Sequence, residues 1–274
     1  MHKKFFKRVI TLLAALSVFL LVVTGCGKTS DNSVQNIKHK GTLVVGTSAD
    51  FPPMEFQIMK HGQKQYVGFD MMLAHDIAKD MGVKLKVVNI AFPSLINELQ
   101  EKKVDLVMAG MTYTKKRAKV VAFSKQYHNG GNVLMVTKKN QNKYNTKSNL
   151  KNASVGAQQS SLQEKILNQQ LKEAKPVSES SLGTLTTELK SGTLSGIVMS
   201  RDSAAGYVKK SPSTYAVSKI KLKSPANTGN RVALRKSDKA LQKEVNKVIT
   251  HDQKTGRMQK LFNKAVDMQV KNNK

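Results

Sequence analysis

The sequence predicts an α/β protein in two lobes joined by two hinge segments, and two observations predict it. Short apolar, β-branched runs alternate with segments of helical period along most of the chain, and the alternation breaks near residues 130 and 225. Alternation of that kind implies parallel strands connected by crossover helices. The two breaks divide it into two such units.

The chain opens with MHKKFFKR, which carries Lys3, Lys4, Lys7 and Arg8, followed by an uncharged apolar run from Val9 to Val23. The run is short for a membrane span, which needs about 20 residues. A basic segment followed by an apolar one is the layout of an export signal. Cys26 follows at once and is the only cysteine among 274 residues. It has no partner for a disulfide within the chain, and thiolate metal binding needs more sulfur or nearby histidines. Val23-Thr24-Gly25-Cys26 resembles a bacterial lipobox, which implies cleavage after residue 25 and diacylglycerol on the Cys26 sulfur. The polar, aperiodic stretch Gly27–Lys40 reads as a flexible tether, with the folded part taken from about residue 38.

TLVVGTS (42–48) is the first buried strand. Asp70–Gly82 is a helix, with Leu73, Ile77 and Met81 recurring every four residues, Asp70 as its cap and Gly82 as its end. KLKVVNI, SLINELQEKK and VDLVMAG continue as strand, helix, strand. The second series runs from VLMVTKK through SVGA, SSLQEKILNQQL, SLGTLTTELKSG and GIVMS. NRVALRK then reads as a strand, and two helices close the chain from Lys239.

The formal net charge is +28, from 46 basic and 18 acidic residues. The lysines are spread over the chain rather than gathered in a block, which reads as a generally basic surface of an exported protein and not as a nucleic-acid site. The six histidines are scattered without metal-ligand spacing. HExxH, GxSxG and phosphate-loop motifs are absent. Asp70 and Asp76 look like paired acids, but a cap and a solvated face explain them better. No enzyme, metal or cofactor follows from these residues.

Open α/β sheets bind ligands beyond the carboxyl ends of their strands. Those ends hold Gly46 through Pro53, then Ala91-Phe92, then Ala109-Gly110-Met111-Thr112 followed by Lys115, Lys116 and Arg117.

VGTSADFPPMEF, VGFDMMLAHDIAKDMG, VDLVMAGMTYTKKRAKVVAFS and VGAQQSSLQE, in that order, resemble the family 3 extracellular solute-binding proteins of amino-acid ABC importers. The resemblance covers nearly all of residues 40–266. It implies a periplasmic-binding-protein-like fold with lobe one at 38–129 and 228–274, lobe two at 130–227, and ligand in the cleft between them. It implies that Arg117 grips the ligand α-carboxylate, with Thr112 and Ser161 donating further hydrogen bonds. Gly110 would offer its carbonyl to the ammonium, and Phe51 and Phe92 would wall the side chain. Ser48, Ala109, Gln158 and Ser160 complete the implied set.

Ser200 departs from the pattern, because the family usually has an acid there to meet the α-ammonium. Three outcomes stand open: a ligand without a free ammonium, Asp50 from lobe one, or Asp202 two residues on. The implied partners are a free amino acid, an ABC permease with its ATPase, and the membrane through the lipid anchor, for a monomer on the outer face of the cell. A surface adhesin for host or wall polymers and a fold-related dehydratase are the alternatives.

Overall fold

The computed structural model describes residues 31–271, so the expected export signal and Cys26 lie outside the described part. Helix α1 (Ser33–Lys40) opens it. The tether expected over Gly27–Lys40 is therefore corrected from Ser33 on. Val34 and Ile37 stand three apart, one face of a helix, and Ile37 is buried in the lobe-one core. Ser33 Oγ accepts the backbone N–H of Leu241 at 3.2 Å. Lys38, His39 and Lys40 crowd the carboxyl end, where the helix dipole favours cations.

Lobe one continues through β1 (Thr42–Thr47), β2 (Asp50–Phe51), β3 (Glu55–Lys60), β4 (Gln63–Val67), α2 (Phe69–Asp80) and β5 (Lys84–Asn89). It proceeds through α3 (Leu95–Gln100), β6 (Leu106–Val107), α4 (Lys115–Ala118) and β7 (Ala122–Phe123). Lobe two comprises β8 (Asn132–Thr137), β9 (Ser154–Gln158), α5 (Leu162–Gln170), β10 (Lys175–Glu179), α6 (Leu182–Ser191), β11 (Gly196–Ser200), α7 (Arg201–Lys210) and β12 (Tyr215–Val217). The chain then returns to lobe one as β13 (Ala233–Leu234), α8 (Lys239–Lys254) and α9 (Arg257–Lys271).

Each lobe is built on a five-stranded sheet, β5-β1-β6-β13-β7 and β10-β9-β11-β8-β12. A third, three-stranded sheet is β2-β3-β4. β1 pairs in parallel with β5 and β6, and β9 with β10 and β11. Antiparallel strands interrupt the parallel order: β13 pairs with β6 and β7, and β8 with β11 and β12. β8 and β13 each directly follow a crossing between lobes. They enter their sheet from the hinge side rather than through a crossover helix, so they run against their neighbours.

Leu73, Ala74 and Ile77 of α2 are fully buried, as the four-residue recurrence requires. Full burial of a Leu or Ile side chain stabilises by about 1.5–3 kcal/mol. Asp70 does not cap this helix, since the cap position is Gly68 and no side chain bonds there. Asp76 is no freely solvated acid either: Arg257 of α9 grips it bidentately, Nε and Nη2 each at 2.7 Å. The hairpin β3–β4 lies where no strand was expected, because QIMKHGQKQ is polar and mostly exposed and gives no alternating apolar signal.

Candidate functional site

Between the lobes lies a cleft whose floor is the end of β6. Ala109, Gly110 and Thr112 line it from lobe one, with Phe51 and Phe92 beside them. Gly110 takes φ +54, and a Cβ there would lie 3.0 Å from the Phe51 ring. Glycine is thus needed both for the turn and for the close ring.

Arg117 stands at the edge of this wall. Thr114 caps α4 by accepting the Arg117 N–H, which orients the first turn. Arg117 Nη1 donates to Thr112 O at 2.7 Å and to Thr112 Oγ1 at 3.1 Å, while Nη2 donates to Ser160 O of lobe two at 2.9 Å. The guanidinium sits 5.3 Å from the Phe92 ring centre. Burial draws its pKa down to about 10. Among the described residues, no carboxylate of the chain forms an ion pair with it. A desolvated guanidinium held by neutral acceptors is a receptor for an anionic group, and its planar fork suits a carboxylate.

Beneath the floor, Asp70 is fully buried and accepts the Gly110 N–H at 2.8 Å and the Tyr127 hydroxyl at 2.8 Å. Burial pushes its pKa up to about 6. Glu55, also fully buried, is raised further, first by burial and then by the charges of Asp70 and Asp50. The loop that lines the cleft is therefore pinned from below by Asp70.

Lobe two presents helix amino ends. Ser161 caps α5 by accepting the Glu164 N–H at 3.0 Å, and Ser200 caps α7 by accepting the Ser203 N–H at 3.1 Å. Both line the cleft, as do Gln158, Leu162 and Gln163. Ser200 is thus the cap of α7, and Asp202 lies in its first turn. Asp202 lines the cleft, with Oδ2 2.8 Å from His128 Nε2. The His128 ring stacks on Phe262 at 4.4 Å and meets Phe69 edge-on. A Cβ on Gly130 would fall 1.9 Å from Asp202 Oδ2, so the carboxylate rests on bare backbone.

Four expected site residues are placed otherwise. Asp50 does not line the cleft: its Oδ2 accepts the Leu182 N–H at 2.9 Å, locking lobe one to the start of α6. Ser48 is buried beside it and off the lining. Ser160 and Arg117 hold each other at the rim. The Gly110 carbonyl, expected to meet an ammonium, accepts a hydrogen bond from Asn230 Nδ2.

Sequence reasoning missed the crossing segments. His128, Asn129, Gly130, Gly131 and Asn132 line the cleft from the first, and Ser224, Thr228 and Asn230 from the second. Asn230 bridges to both Thr112 and His128, tying the two crossings together. Asn132 donates to Ser224 Oγ and accepts from Gln163, both at 2.8 Å. The available signal was the position of these polar residues at the two breaks in the strand–helix alternation.

Two sheet lobes, two crossings and a polar cleft with a half-buried arginine at its edge define a ligand-binding protein of the two-lobed kind. The family model for bacterial extracellular solute-binding proteins, family 3, matches residues 43–268, and the chain belongs to that family. It is 33% identical to the arginine-binding extracellular protein ArtP of Bacillus subtilis, across 94% of this chain and 97% of that one. It is 28% identical to the L-cystine-binding protein TcyJ of Escherichia coli, across 92% and 93% of the two chains. The crystal structure of an amino acid ABC transporter substrate-binding protein from Streptococcus pneumoniae, bound to L-arginine, superposes with a TM-score of 0.83 at 34% identity, covering 86% of this chain and 98% of that one. An ancestral amino-acid-binding protein described as a precursor of cyclohexadienyl dehydratase superposes with a TM-score of 0.77 at 31% identity, covering 85% and 99%.

Proposed function

We propose that this protein captures a free α-amino acid between its lobes, outside the cytoplasmic membrane, and delivers it to an ABC importer. The observation that carries the reading is Arg117, a half-buried cation with neutral partners at the edge of the cleft. The ligand α-carboxylate supplies the missing charge, with Thr112 and the capped start of α5 at Ser161 as neighbours. A helix amino end favours anions by its dipole and free N–H groups. Asp202 faces the ligand ammonium, in the role that Ser200 cannot fill. The contacts Asp50–Leu182, Arg117–Ser160 and His128–Asp202 form as the lobes close.

The partners are a permease and its ATPase, and the protein acts as a monomer tethered through lipid on Cys26. Relatives named for binding arginine, cystine and histidine support the amino-acid class. The test is a thermal-shift screen of the twenty amino acids and cystine on ligand-stripped protein. Ligand at a hundredfold excess over its dissociation constant adds about 2.7 kcal/mol of stability. No stabilisation by any of them overturns the reading. Cys26→Ala is expected to release the protein from the membrane fraction, and retention of a processed form on the membrane refutes the anchor. No turnover of a cyclohexadienyl substrate is expected.

A further inference from the structure

The charges around the cleft can be counted. Among the described residues, Asp202 is the only carboxylate on its lining, and Arg117 stands at its edge without an acidic partner. His128 is bonded to Asp202 and adds either nothing or one positive charge. On the lining itself, with Arg117 at its edge, the charges sum to zero or to +1. Three other carboxyls lie near but off the lining, and Asp50 Oδ1 and both Glu55 oxygens are buried there without a hydrogen-bond partner among the described residues. Asp50 accepts the Leu182 N–H across the lobes, and Asp70 accepts Gly110 N–H and Tyr127 Oη–H below the floor. Glu55 is fully buried beneath the surface. None of the three lines the cleft.

A zwitterionic α-amino group and α-carboxylate use up Asp202 and Arg117. Nothing of negative charge then remains for a cationic side chain, and burying a cation without a counter-charge is costly. The rest of the polar lining is neutral: the amides of Asn129, Asn132, Gln158 and Gln163 and the hydroxyl of Thr228. Of these, Asn132, Gln158, Gln163 and Thr228 also bond within the protein and keep only part of their hydrogen-bonding capacity for a ligand.

We infer that the cleft selects an amino acid of zero net charge with a neutral, hydrogen-bonding distal end, and discriminates against cationic side chains. This rests on the amino-acid reading above and departs from the arginine in the names of the Bacillus and Streptococcus relatives.

The experiment is calorimetry on ligand-stripped protein with L-glutamine, L-cystine, L-arginine and L-lysine. At least one neutral ligand is expected to bind tenfold or more tightly than either cation. Arginine or lysine binding as tightly as the better neutral ligand, or within threefold of it, overturns the inference while leaving amino-acid capture intact. Failure of all four to bind overturns the inference, and amino-acid capture falls with it only if the full screen also finds no ligand. A second arm uses Gln163→Glu, which adds one carboxylate to the lining. The ratio of arginine to neutral-ligand affinity is expected to rise at least tenfold, and the ratio is insensitive to a uniform loss of folding. An unchanged ratio shows that charge balance does not set the specificity.

Discussion

The two walls of the cleft are made differently. The lobe-one wall is a single continuous stretch, Ala109 to Arg117, pinned from beneath by Asp70 and completed by the Phe92 ring under the guanidinium. The lobe-two wall is a set of separate pieces, the capped starts of α5 and α7 at Ser161 and Ser200, with Asp202 held by a histidine from the crossing strand. The proposed carboxylate receptor is thus largely preformed in lobe one, with Ser160 and the start of α5 at Ser161 added from lobe two. The proposed ammonium receptor needs both lobes, because Asp202 and the His128 bonded to it come from opposite sides of the hinge. A ligand can dock on lobe one first and be completed by closure, the clamshell behaviour of two-lobed binding proteins.

The largest effect is expected on the preformed wall. Arg117→Ala is expected to cost about 2–5 kcal/mol of ligand binding, at least about thirtyfold, as truncating one member of a buried charge pair does. Calorimetry reads it, and a loss below threefold places the carboxylate elsewhere.

Next comes the network beneath that wall. Asp70 has its pKa raised from 3.8 to about 6 by burial, so the folded state holds this proton more tightly than the unfolded chain does. The stabilisation is complete below about pH 4 and is lost as pH rises through 6, amounting to roughly 3 kcal/mol. Glu55 is raised in the same direction and adds to the trend. The melting temperature is expected to fall between pH 5 and 7.5, and Asp70→Asn to flatten that fall. A wild-type curve level over this range contradicts the account.

The assembled wall is expected to be sensitive to crowding at the hinge. Gly130→Ala would set a methyl 1.9 Å from Asp202 Oδ2 and force the carboxylate away. Loss of a hydrogen bond to a charged group is typically worth about 1.5–3 kcal/mol, so affinity is expected to fall tenfold or more. The melting temperature of ligand-free protein is expected to change little, which separates this variant from a folding defect.

The smallest effect is expected at a cap. Ser200→Ala removes the acceptor for Ser203 N–H at the start of α7, at about 1 kcal/mol of stability. If ligand affinity drops more than tenfold as well, Ser200 touches the ammonium directly and the division between capping serine and charged Asp202 fails.

Much of this was legible in the residues. Apolar recurrence placed β1, α2, β5, α5, α6 and β11 close to where they lie, because burial on one face imposes a period that the chain must carry. Two breaks in that period marked the crossings, and Thr112 and Arg117 stood out because they follow a strand end, while Ser161 came from the family resemblance. Elements with little buried surface were illegible, among them β3–β4, β10 and α7. They carry weak apolar period and are held by neighbours remote in sequence.

Partnership was the part that tertiary structure alone decided. Asp70, read as a cap, became a buried acid, because β6 and Tyr127 arrive above it with an N–H and a hydroxyl from 40 and 57 residues away. Asp50 and Asp202 were both candidates for the ammonium, being acids next to strand ends. Closure gave Asp50 to Leu182 and left Asp202 facing the cleft beside His128. A sequence determines which side chains can ionise and which faces must be buried, since those are properties of residues and their spacing. It does not by itself determine which charges meet, because that depends on how two separately cored lobes come together around the hinge.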